Sequence, residues 1–397
     1  MTLEIIAPSK RKHAEAIFDL VAEEWSEDLR RHSREGRINR SHYSWTASRV
    51  GLMDGNVITH FGVYDIKMRV GAAYVRTAGV NLVVTHPDYR NRGAMPRTTR
   101  ASIEAMREEG YGLSIVGYSI PNYYTRFGYV VAWPDNDYFI SVRNMPPEPP
   151  NYRLQSINPT KHRAAFDDLY NQANIGITGT AVRPTFRHTK EPGDLLGCLW
   201  KDAQGNLAGY IIYDRIPESR ALWHYDSAGD PGEILRVFHH LARRINYREV
   251  RFNRLPHNSG LAWCLRALDS TAEIKYSRNG GWLVRVINLN SLFTSLRDEL
   301  WNRLTATSMS GWRGNLLIST GEESITLSIG DNGINIGPAY ESEHSISGGQ
   351  EIARLVIGTS SPVETVALYN TQLAGDAAKL IKALFPAQNP QMGGADL

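Results

Sequence analysis

The sequence predicts an α/β (α+β) protein built of three modules. The chain has 397 residues, more than the roughly 250 to 300 residues that one hydrophobic core usually organises. Short β-branched runs alternate with amphipathic helical segments along its length. An order of strand, helix and strand meander occurs twice, before and after the proline-rich residues 145–150. We therefore predict modules over residues 1–147, 148–288 and 289–397.

Composition places the chain among ordinary globular proteins, with 42% hydrophobic and 21% charged residues. The 44 basic and 41 acidic residues leave a net charge of +3. This near balance argues against a nucleic-acid or membrane-surface partner. The two cysteines, Cys198 and Cys264, are too few for a disulfide framework and lack the spacing of a zinc or redox site.

Targeting and metal-binding signals are not found in the sequence. The first residues, Met-Thr-Leu-Glu-Ile-Ile, form a strand-like run rather than a cationic leader, and no apolar run is long enough to cross a bilayer. We therefore predict a cytoplasmic protein. The 12 histidines show no spacing such as His-Glu-x-x-His, so no metal is predicted.

Elements of the first module follow from apolar periodicity and turn residues. Apolar residues at helical spacing follow Pro8-Ser9, and Asp54-Gly55 is a hairpin turn. The predicted order is a strand in residues 1–6, a helix in 10–25, strands in 48–52, 57–64 and 72–85, a helix from Gly93 to Gly110, and a strand in 113–116.

The most informative segment joins the strand at residues 72–85 to the next helix. From Val80 it reads Val-Asn-Leu-Val-Val-Thr-His-Pro-Asp-Tyr-Arg-Asn-Arg-Gly. A strand that leads through a glycine turn into a helix directs unpaired backbone N–H groups and the positive end of the helix dipole at one point. Arg90 and Arg92 add full positive charges. The segment therefore predicts a phosphate site.

This turn resembles the acetyl-CoA pyrophosphate loop of the GNAT acyltransferases, Gln/Arg-x-x-Gly-x-Gly/Ala, although Met95 stands where the pattern has Gly or Ala. The later segment from Tyr124 to Tyr129, Tyr-Thr-Arg-Phe-Gly-Tyr, completes a pair of motifs similar to the enhanced intracellular survival (Eis) family. The resemblance implies two tandem GNAT modules followed by a sterol-carrier-protein-like (type-2) α+β domain. It also implies acetyl-CoA as co-substrate.

The resemblance further implies which residues contact acetyl-CoA. The backbone of the strand would pair with the pantetheine arm as an added strand does, and the turn would surround the pyrophosphate. The implied residues are Val83 and Thr85 on the strand, Arg90, Asn91, Gly93 and Ala94 at the turn, and Ser119.

Acetyl transfer to an amine needs an acid for the departing thiolate and a base for the amine. A phenol, with a pKa of ~10, is close enough to a thiol, at ~8.5, to donate to the developing thiolate. The resemblance implies that Tyr124 is the general acid, although the residue types alone leave Tyr123 and Tyr129 as alternatives.

The resemblance also implies roles for the end of the chain and for the segment after the first helix. In the family the terminal carboxylate enters the active site, so the α-carboxylate of Leu397 is implied as base or substrate anchor. Trp25, Glu27 and Asp28 stand where the family has its acceptor-binding aromatic and acidic residues.

The later modules differ from the first. Where the phosphate turn would recur, residues 226–233 read Asp-Ser-Ala-Gly-Asp-Pro-Gly-Glu, and three carboxylates would repel a pyrophosphate. We therefore predict a degenerate second GNAT module. The third module is predicted to contain a leucine-rich helix, glycine-separated strands and two final helices, as in a sterol carrier protein.

Three functions remain open from the sequence. The first is an acetyl-CoA-dependent N-acetyltransferase for primary amines, either small molecules such as aminoglycosides or lysine-bearing acceptors. The second keeps CoA but changes the acyl donor or the acceptor. The third is a non-catalytic CoA- or lipid-binding protein built on the sterol-carrier-like domain. The family resemblance implies a homo-oligomer, with a hexamer as the assembly that the family suggests.

Overall fold

The computed structural model describes residues 2–24, 42–117, 121–157, 159–185, 196–276 and 281–393. The chain divides into two compact units. The first comprises Met1–Trp133 and Arg278–Gln388, and the second comprises Pro134–Ser277 and Asn389–Leu397. Three mixed or antiparallel sheets with helices packed on them make this an α+β protein, as predicted.

The first sheet lies in the first unit. Its strands are β1 (Leu3–Ile6), β2 (Arg49–Met53), β3 (Asn56–Val70), β4 (Ala73–Thr85), β5 (Leu113–Gly117), β6 (Val130–Trp133) and β14 (Trp282–Val286). Their spatial order is β1-β2-β3-β4-β5-β14-β6. All neighbours are antiparallel except β4 and β5, which are parallel.

Among the described residues before β6, the helices are α1 (Lys10–Glu24), α2 (Ala94–Glu108) and the short α3 (Pro121–Tyr124). The apolar face predicted for α1 is buried, and α1 and α2 both pack on β3. Gly110 follows the end of α2 with a φ of 76°. That left-handed conformation suits a glycine after a helix, so the predicted helix end is confirmed.

The second sheet lies in the second unit. Its strands are β7 (Asp135–Ser141), β8 (Gln155–Ser156), β9 (Leu196–Lys201), β10 (Leu207–Ile216), β11 (Ala221–Gly229), β12 (Glu249–Phe252) and β13 (Ser270–Lys275). Their order is β8-β9-β10-β11-β12-β7-β13, with β11 and β12 parallel. The helices of this unit are α4 (Pro159–Ala173), α5 (Pro231–Arg244) and α6 (Gly260–Arg266).

The two seven-stranded sheets have equivalent strand orders. In each sheet the sixth strand lies, along the chain, in the neighbouring predicted module. The first sheet contains β14, which follows the last strand of the second sheet in the chain, and the second contains β7, which directly follows β6. The boundaries predicted at 147/148 and 288/289 therefore differ from the observed units. Local sequence patterns mark strands and linkers but do not say which sheet a strand joins.

The third sheet lies in the first unit. Its elements are α7 (Leu289–Thr305), β15 (Gly314–Ser319), β16 (Ser324–Gly330), β17 (Gly333–Pro338), β18 (His344–Ser347), α8 (Ile352–Ile357), α9 (Pro362–Leu368), β19 (Gln372–Ala374) and α10 (Ala377–Leu384). The strand order is β17-β16-β15-β18-β19. The leucine face predicted for α7 is buried, and the helix contacts both β17 and β4.

None of the helices in the described ranges combines the length and the hydropathy needed to cross a membrane.

Candidate functional site

The parallel strands β4 and β5 diverge at the candidate site. They pair from Thr77 opposite Leu113 to Val80 opposite Val116, and β4 then continues to Thr85. On its other edge, β4 stays paired with β3 as far as Thr85. Beyond Val80, no strand in the described residues pairs with the edge of β4 that faced β5. Val83 and Thr85, both half-buried, lie on this segment, which an extended ligand could join as an added strand.

A β-bulge bends β4 just before Val83. The register with β3 shifts between His60 and Gly62, and Leu82 has a φ of 52°. The fully buried His60 secures the bend, because its Nδ1–H donates to the Leu82 carbonyl at 2.7 Å while its Nε2 accepts from the Tyr43 hydroxyl at 2.8 Å. Burial lowers the pKa of His60 to about 4, so the imidazole is neutral at neutral pH.

The predicted phosphate turn follows β4 directly. After a single 3₁₀ turn at Pro87–Tyr89, Asn91 and Gly93 adopt φ values of 60° and 76°. Gly93 caps α2 without any side-chain hydrogen bond, and a Cβ atom placed on it would have open space around it. The N–H groups of Ala94 and Met95 and the positive end of the helix dipole therefore face an open position that suits an anion, while Pro96 in the same turn has no N–H.

Two carboxylates at the end of α1 contact the basic groups of this turn. Arg90 pairs through Nη2 with the Glu24 carboxylate, and its Nε donates to the Thr85 carbonyl at 3.3 Å. His86 Nε2 lies 3.3 Å from Glu23 Oε2. No local sequence pattern predicts either contact, since 66 residues separate Glu24 from Arg90. An incoming phosphate would compete with Glu24 for the guanidinium.

Three tyrosines cluster near the end of β4. The ring of Tyr124 lies 5.0 Å from that of Tyr123 and 5.6 Å from that of Tyr129, measured between centroids. Tyr123 shares a 2.7 Å hydrogen bond with Thr99, and Tyr129 shares one of 2.7 Å with Ser114. Among the described residues, none bonds to the Tyr124 hydroxyl.

The environment of Tyr124 keeps its phenol protonated. Its side chain is only 7% exposed, and it belongs to a hydrophobic cluster against which Val83 and Met95 pack. Burial raises the pKa of Tyr124 well above 10, and the neighbouring Tyr129 and Tyr123 add to the shift. At neutral pH the phenol is therefore protonated, and its hydroxyl can donate a hydrogen bond.

Arg285 on β14 holds the turn that carries Tyr124. It is buried, donates from Nη1 to the Phe127 carbonyl, and pairs through Nη2 with Glu322 at 2.5 Å. Gly128 completes the turn with a φ of 76°, and a Cβ atom there would collide with Arg285. Arg285 was not among the predicted site residues, because 158 residues separate it from Phe127. A buried arginine in the otherwise apolar strand Trp-Leu-Val-Arg-Val was the available signal.

Several predicted site residues lie outside the described part of the chain, namely Trp25, Glu27, Asp28, Ser119 and Leu397. The last described residues, 391–393, belong to the second unit, where Gln391 Oε1 accepts a hydrogen bond from the Asn136 backbone at 3.3 Å. Across the described ranges, no group of three His, Cys, Asp or Glu side chains is placed to hold a metal ion.

The second unit has a related arrangement with a different turn. The parallel pair of β11 and β12 runs from Ala221 opposite Glu249 to His224 opposite Phe252, after which β11 continues to Gly229. The following helix, α5, begins with Pro231, which has no N–H. Asp230 caps it by accepting the Glu233 N–H at 2.8 Å. This geometry supports the prediction that the second module lacks a pyrophosphate site.

Comparison with known families identifies the first part of the chain. Residues 6–132 match the acetyltransferase (GNAT) domain family. An uncharacterized N-acetyltransferase of Streptomyces coelicolor is 36% identical over 97 residues, which cover 24% of this chain and 23% of that protein. The match thus spans about a quarter of that relative's length.

Solved structures resemble nearly the whole chain. A GCN5-related N-acetyltransferase from Anabaena variabilis superposes with a TM-score of 0.78 at 16% identity, covering 98% of this chain and 99% of that one. Eis1 from Mycobacterium abscessus superposes with a TM-score of 0.67 at 15% identity, covering 99% of each. At these identities the likeness shows the fold alone. The diverging strands and the uncapped turn both lie within residues 6–132, the part of the chain that matches the acetyltransferase (GNAT) domain family.

Proposed function

We propose that this chain is an acetyl-CoA-dependent N-acetyltransferase that acts on a primary amine, either a small molecule of the aminoglycoside type or a lysine-bearing acceptor. The observation that carries the proposal is the uncapped N-terminus of α2 at Gly93, placed beside the unpaired end of β4 within the GNAT domain. The helix N-terminus suits an anion, and the unpaired strand edge suits an extended chain with amide groups. CoA contains both a pyrophosphate and such a chain.

In the proposed complex, the pantetheine arm pairs with the backbone at Val83 and Thr85. The pyrophosphate lies against the turn, where it receives N–H groups from Gly93 and Ala94 and the charge of Arg90, with Asn91 shaping the loop. Ser119 is a further proposed contact. The bend secured by His60 sets the direction of β4 over this stretch.

The proposed chemistry is direct transfer. The amine nitrogen attacks the thioester carbonyl, the C–S bond of the tetrahedral intermediate breaks, and the thiolate takes the proton of the Tyr124 hydroxyl. The new amide loses one proton, which returns to the Tyr124 phenolate through solvent or the base, so the products are the N-acetylated amine and CoA thiol. Of the three clustered tyrosines, Tyr124 is the one whose hydroxyl has no bond to a described residue.

We propose the α-carboxylate of Leu397 as the base or the anchor of the cationic acceptor, and Trp25, Glu27 and Asp28 as acceptor contacts. These assignments rest on the family resemblance. The likeness of fold to Eis1 supports placing the chain in the Eis family. This placement also implies a degenerate second GNAT module, a sterol-carrier-like C-terminal domain, a cytoplasmic location and a homo-oligomer, with a hexamer as the assembly that the family suggests.

Release of free CoA thiol from acetyl-CoA tests the function, with a panel of aminoglycosides, polyamines and lysine peptides as acceptors. We expect amine-dependent thiol release, and a matching gain of one acetyl group in the acceptor by mass spectrometry. N,N-dimethylated acceptors, which cannot form a neutral amide, are the control and should be inert. Binding of acetyl-CoA without thiol release from any acceptor would contradict the proposal and favour the non-catalytic alternative.

A further inference from the structure

Leu82 on β4 has a strained backbone whose polar groups are bonded to side chains. Eight non-glycine residues in the described part of the chain have a positive φ, and of these Leu82 alone lies within a strand. It has no partner in the register with β3. Its N–H donates to Oδ1 of Asn81 at 2.8 Å, and its carbonyl accepts from Nδ1–H of His60 at 2.7 Å. Strain of this kind persists only where the surroundings enforce it, and it is concentrated at functional sites.

Gly62 on β3 leaves the room that this arrangement needs. A Cβ atom on Gly62 would lie 2.5 Å from the Asn81 carbonyl oxygen and 2.9 Å from Cε1 of His60. The His60 ring is fully buried, and its Nε2 accepts the Tyr43 hydroxyl at 2.8 Å. Rotation of the ring would therefore break two buried hydrogen bonds, so the ring is fixed against Leu82.

The bulge changes which residues of β4 face its open edge. Before the bulge, the Arg76 carbonyl accepts the N–H of the residue that precedes β5, so even-numbered residues direct their backbone groups towards β5. After the bulge, the His86 N–H donates to the Ile58 carbonyl of β3 at 2.9 Å, so even-numbered residues direct theirs towards β3. Val83 and Thr85 consequently present their N–H and C=O groups to the open edge.

The side chains of β4 change face at the same point. Ala78 and Val80, before the bulge, belong to the hydrophobic cluster that contains Tyr124, and Val83, after it, packs against that cluster. Without the extra residue, alternation would bring Leu82 to this place and turn Val83 to the other face of the sheet. The conformation of Leu82 therefore determines which residue of β4 contacts the Tyr124 cluster.

We propose that His60 is a positioning residue for acetyl transfer, an inference that rests on the proposed function. Its hydrogen bond to the Leu82 carbonyl keeps the bulge in place, and the bulge presents the backbone of Val83 and Thr85 to the pantetheine arm. Asn81 holds the same residue through the Leu82 N–H. His60 is fully buried and acts on acetyl-CoA only through the backbone of β4.

Two amide substitutions separate positioning from packing. In H60N the amide nitrogen takes the place of Nδ1 and can still donate to the Leu82 carbonyl, whereas in H60Q it lies further out, near the place of Nε2. We expect acetyl-CoA binding to the full-length protein, measured by calorimetry, to weaken by about tenfold or more in H60Q and by about threefold or less in H60N. A packing role predicts the reverse order, because asparagine leaves the larger cavity.

Phospho-ADP, the nucleotide half of CoA, has the pyrophosphate but lacks the pantetheine arm. Its affinity should be the same in the wild type, H60N and H60Q, since it contacts the turn at Gly93 and not the strand. N81L, which removes the acceptor of the Leu82 N–H, should weaken acetyl-CoA binding as H60Q does. H224Q changes a buried histidine of the second sheet and is the matched control, which should lower Tm but leave acetyl-CoA affinity unchanged.

Equal acetyl-CoA affinity in the wild type and H60Q, with circular dichroism showing native folding, would overturn the proposal. So would weaker binding in H60N than in H60Q, or an equal loss of affinity for phospho-ADP. If H60Q does not fold, unchanged acetyl-CoA affinity in N81L overturns it instead. A wild type that does not bind acetyl-CoA would contradict the proposed function itself, whereas acetyl transfer that is unimpaired in H60Q would contradict this inference alone.

Discussion

The turns after β4 and β11 occupy the same place in two sheets of the same strand order, yet their helices begin in opposite ways. After β4, Gly93 caps α2 with no side chain and leaves the backbone N–H groups open. After β11, Asp230 accepts the Glu233 N–H, and Pro231 brings no N–H at all. The first turn is open for the phosphate that we propose, whereas the second is already capped by its own residues.

The charges around the two turns also differ in sign. The first carries Arg90 and Arg92, while the second carries Asp230 and the buried Glu233, whose carboxylate is occupied by Asn151 and Arg236. Both modules retain the diverging parallel strands. In both modules the fold provides a cleft where the parallel strands diverge. A few residues at the start of the following helix determine what that cleft can bind.

The largest effect is expected from Y124F, which removes the one proposed acid. We expect kcat to fall by about 10²-fold or more, with little change in acetyl-CoA affinity, because the hydroxyl acts on the leaving thiolate. Y123F and Y129F, whose hydroxyls are bonded to Thr99 and Ser114, are the matched controls and should lose much less. Steady-state kinetics decide this, and full turnover in Y124F would reject Tyr124 as the acid.

The pH profile of the wild type gives a second check on this residue. Because burial raises the pKa of Tyr124 well above 10, deprotonation of its phenol cannot reduce kcat between pH 7 and 10. A fall of kcat in this window that disappears in a Tyr124 variant would contradict the assignment.

R90A tests the first turn directly. Loss of a charge-assisted bond to phosphate should weaken acetyl-CoA binding by about 1–3 kcal/mol, or about fivefold to 150-fold in Kd. D230A, at the corresponding turn of the second module, should lower the stability by about 1 kcal/mol through loss of the cap but leave CoA affinity unchanged. Calorimetry measures both, and equal losses of affinity in R90A and D230A would erase the distinction between the turns.

R285M tests whether the turn carrying Tyr124 needs its support from β14. We expect kcat to fall by about tenfold while the KM for acetyl-CoA changes less than twofold, since the substitution displaces the acid rather than the phosphate turn. E322Q, which keeps the shape of the arginine's partner but removes its charge, should give a smaller loss. A higher KM for acetyl-CoA with an unchanged kcat would show that Arg285 supports acetyl-CoA binding and not the position of Tyr124.

The smallest effect is expected from E24Q. Glu24 competes with phosphate for Arg90, and an exposed ion pair is worth about 0.2–1 kcal/mol. Its removal should tighten acetyl-CoA binding, by about fivefold at most. E23Q, which changes the neighbour that contacts His86 instead, is the control and should tighten binding less. Weaker binding in E24Q would show that Glu24 supports the site rather than competing for it.

Local signals predicted much of this molecule. The β-branched run before Thr85, the glycine turn at Gly93 and the leucine spacing of α7 each depend on neighbouring residues, and the structure has them where the sequence places them. The GNAT resemblance of two short motifs agrees with the family match over residues 6–132.

Contacts between distant parts of the chain could not be predicted in this way. The pairing of Arg285 with Phe127 and of Glu24 with Arg90 depends on tertiary packing, which no local pattern encodes. The same holds for the exchange of β7 and β14, because a strand's residues specify that it pairs but not with which sheet. Asp226 likewise pairs with the distant Arg183, so residues 226–233 carry less unpaired negative charge than their sequence suggests.

The position of β14 in the first sheet determines when that sheet can form during synthesis of the chain. Because β14 lies between β5 and β6, the first sheet cannot close until residues 282–286 have left the ribosome, long after its other six strands. Until then β5 and β6 both present unpaired edges, and the turn with Tyr124 lacks Arg285. A chain stopped at residue 147 would remain in that state, open to edge-to-edge association. The acetyltransferase domain therefore matures only after most of the following module has been synthesised.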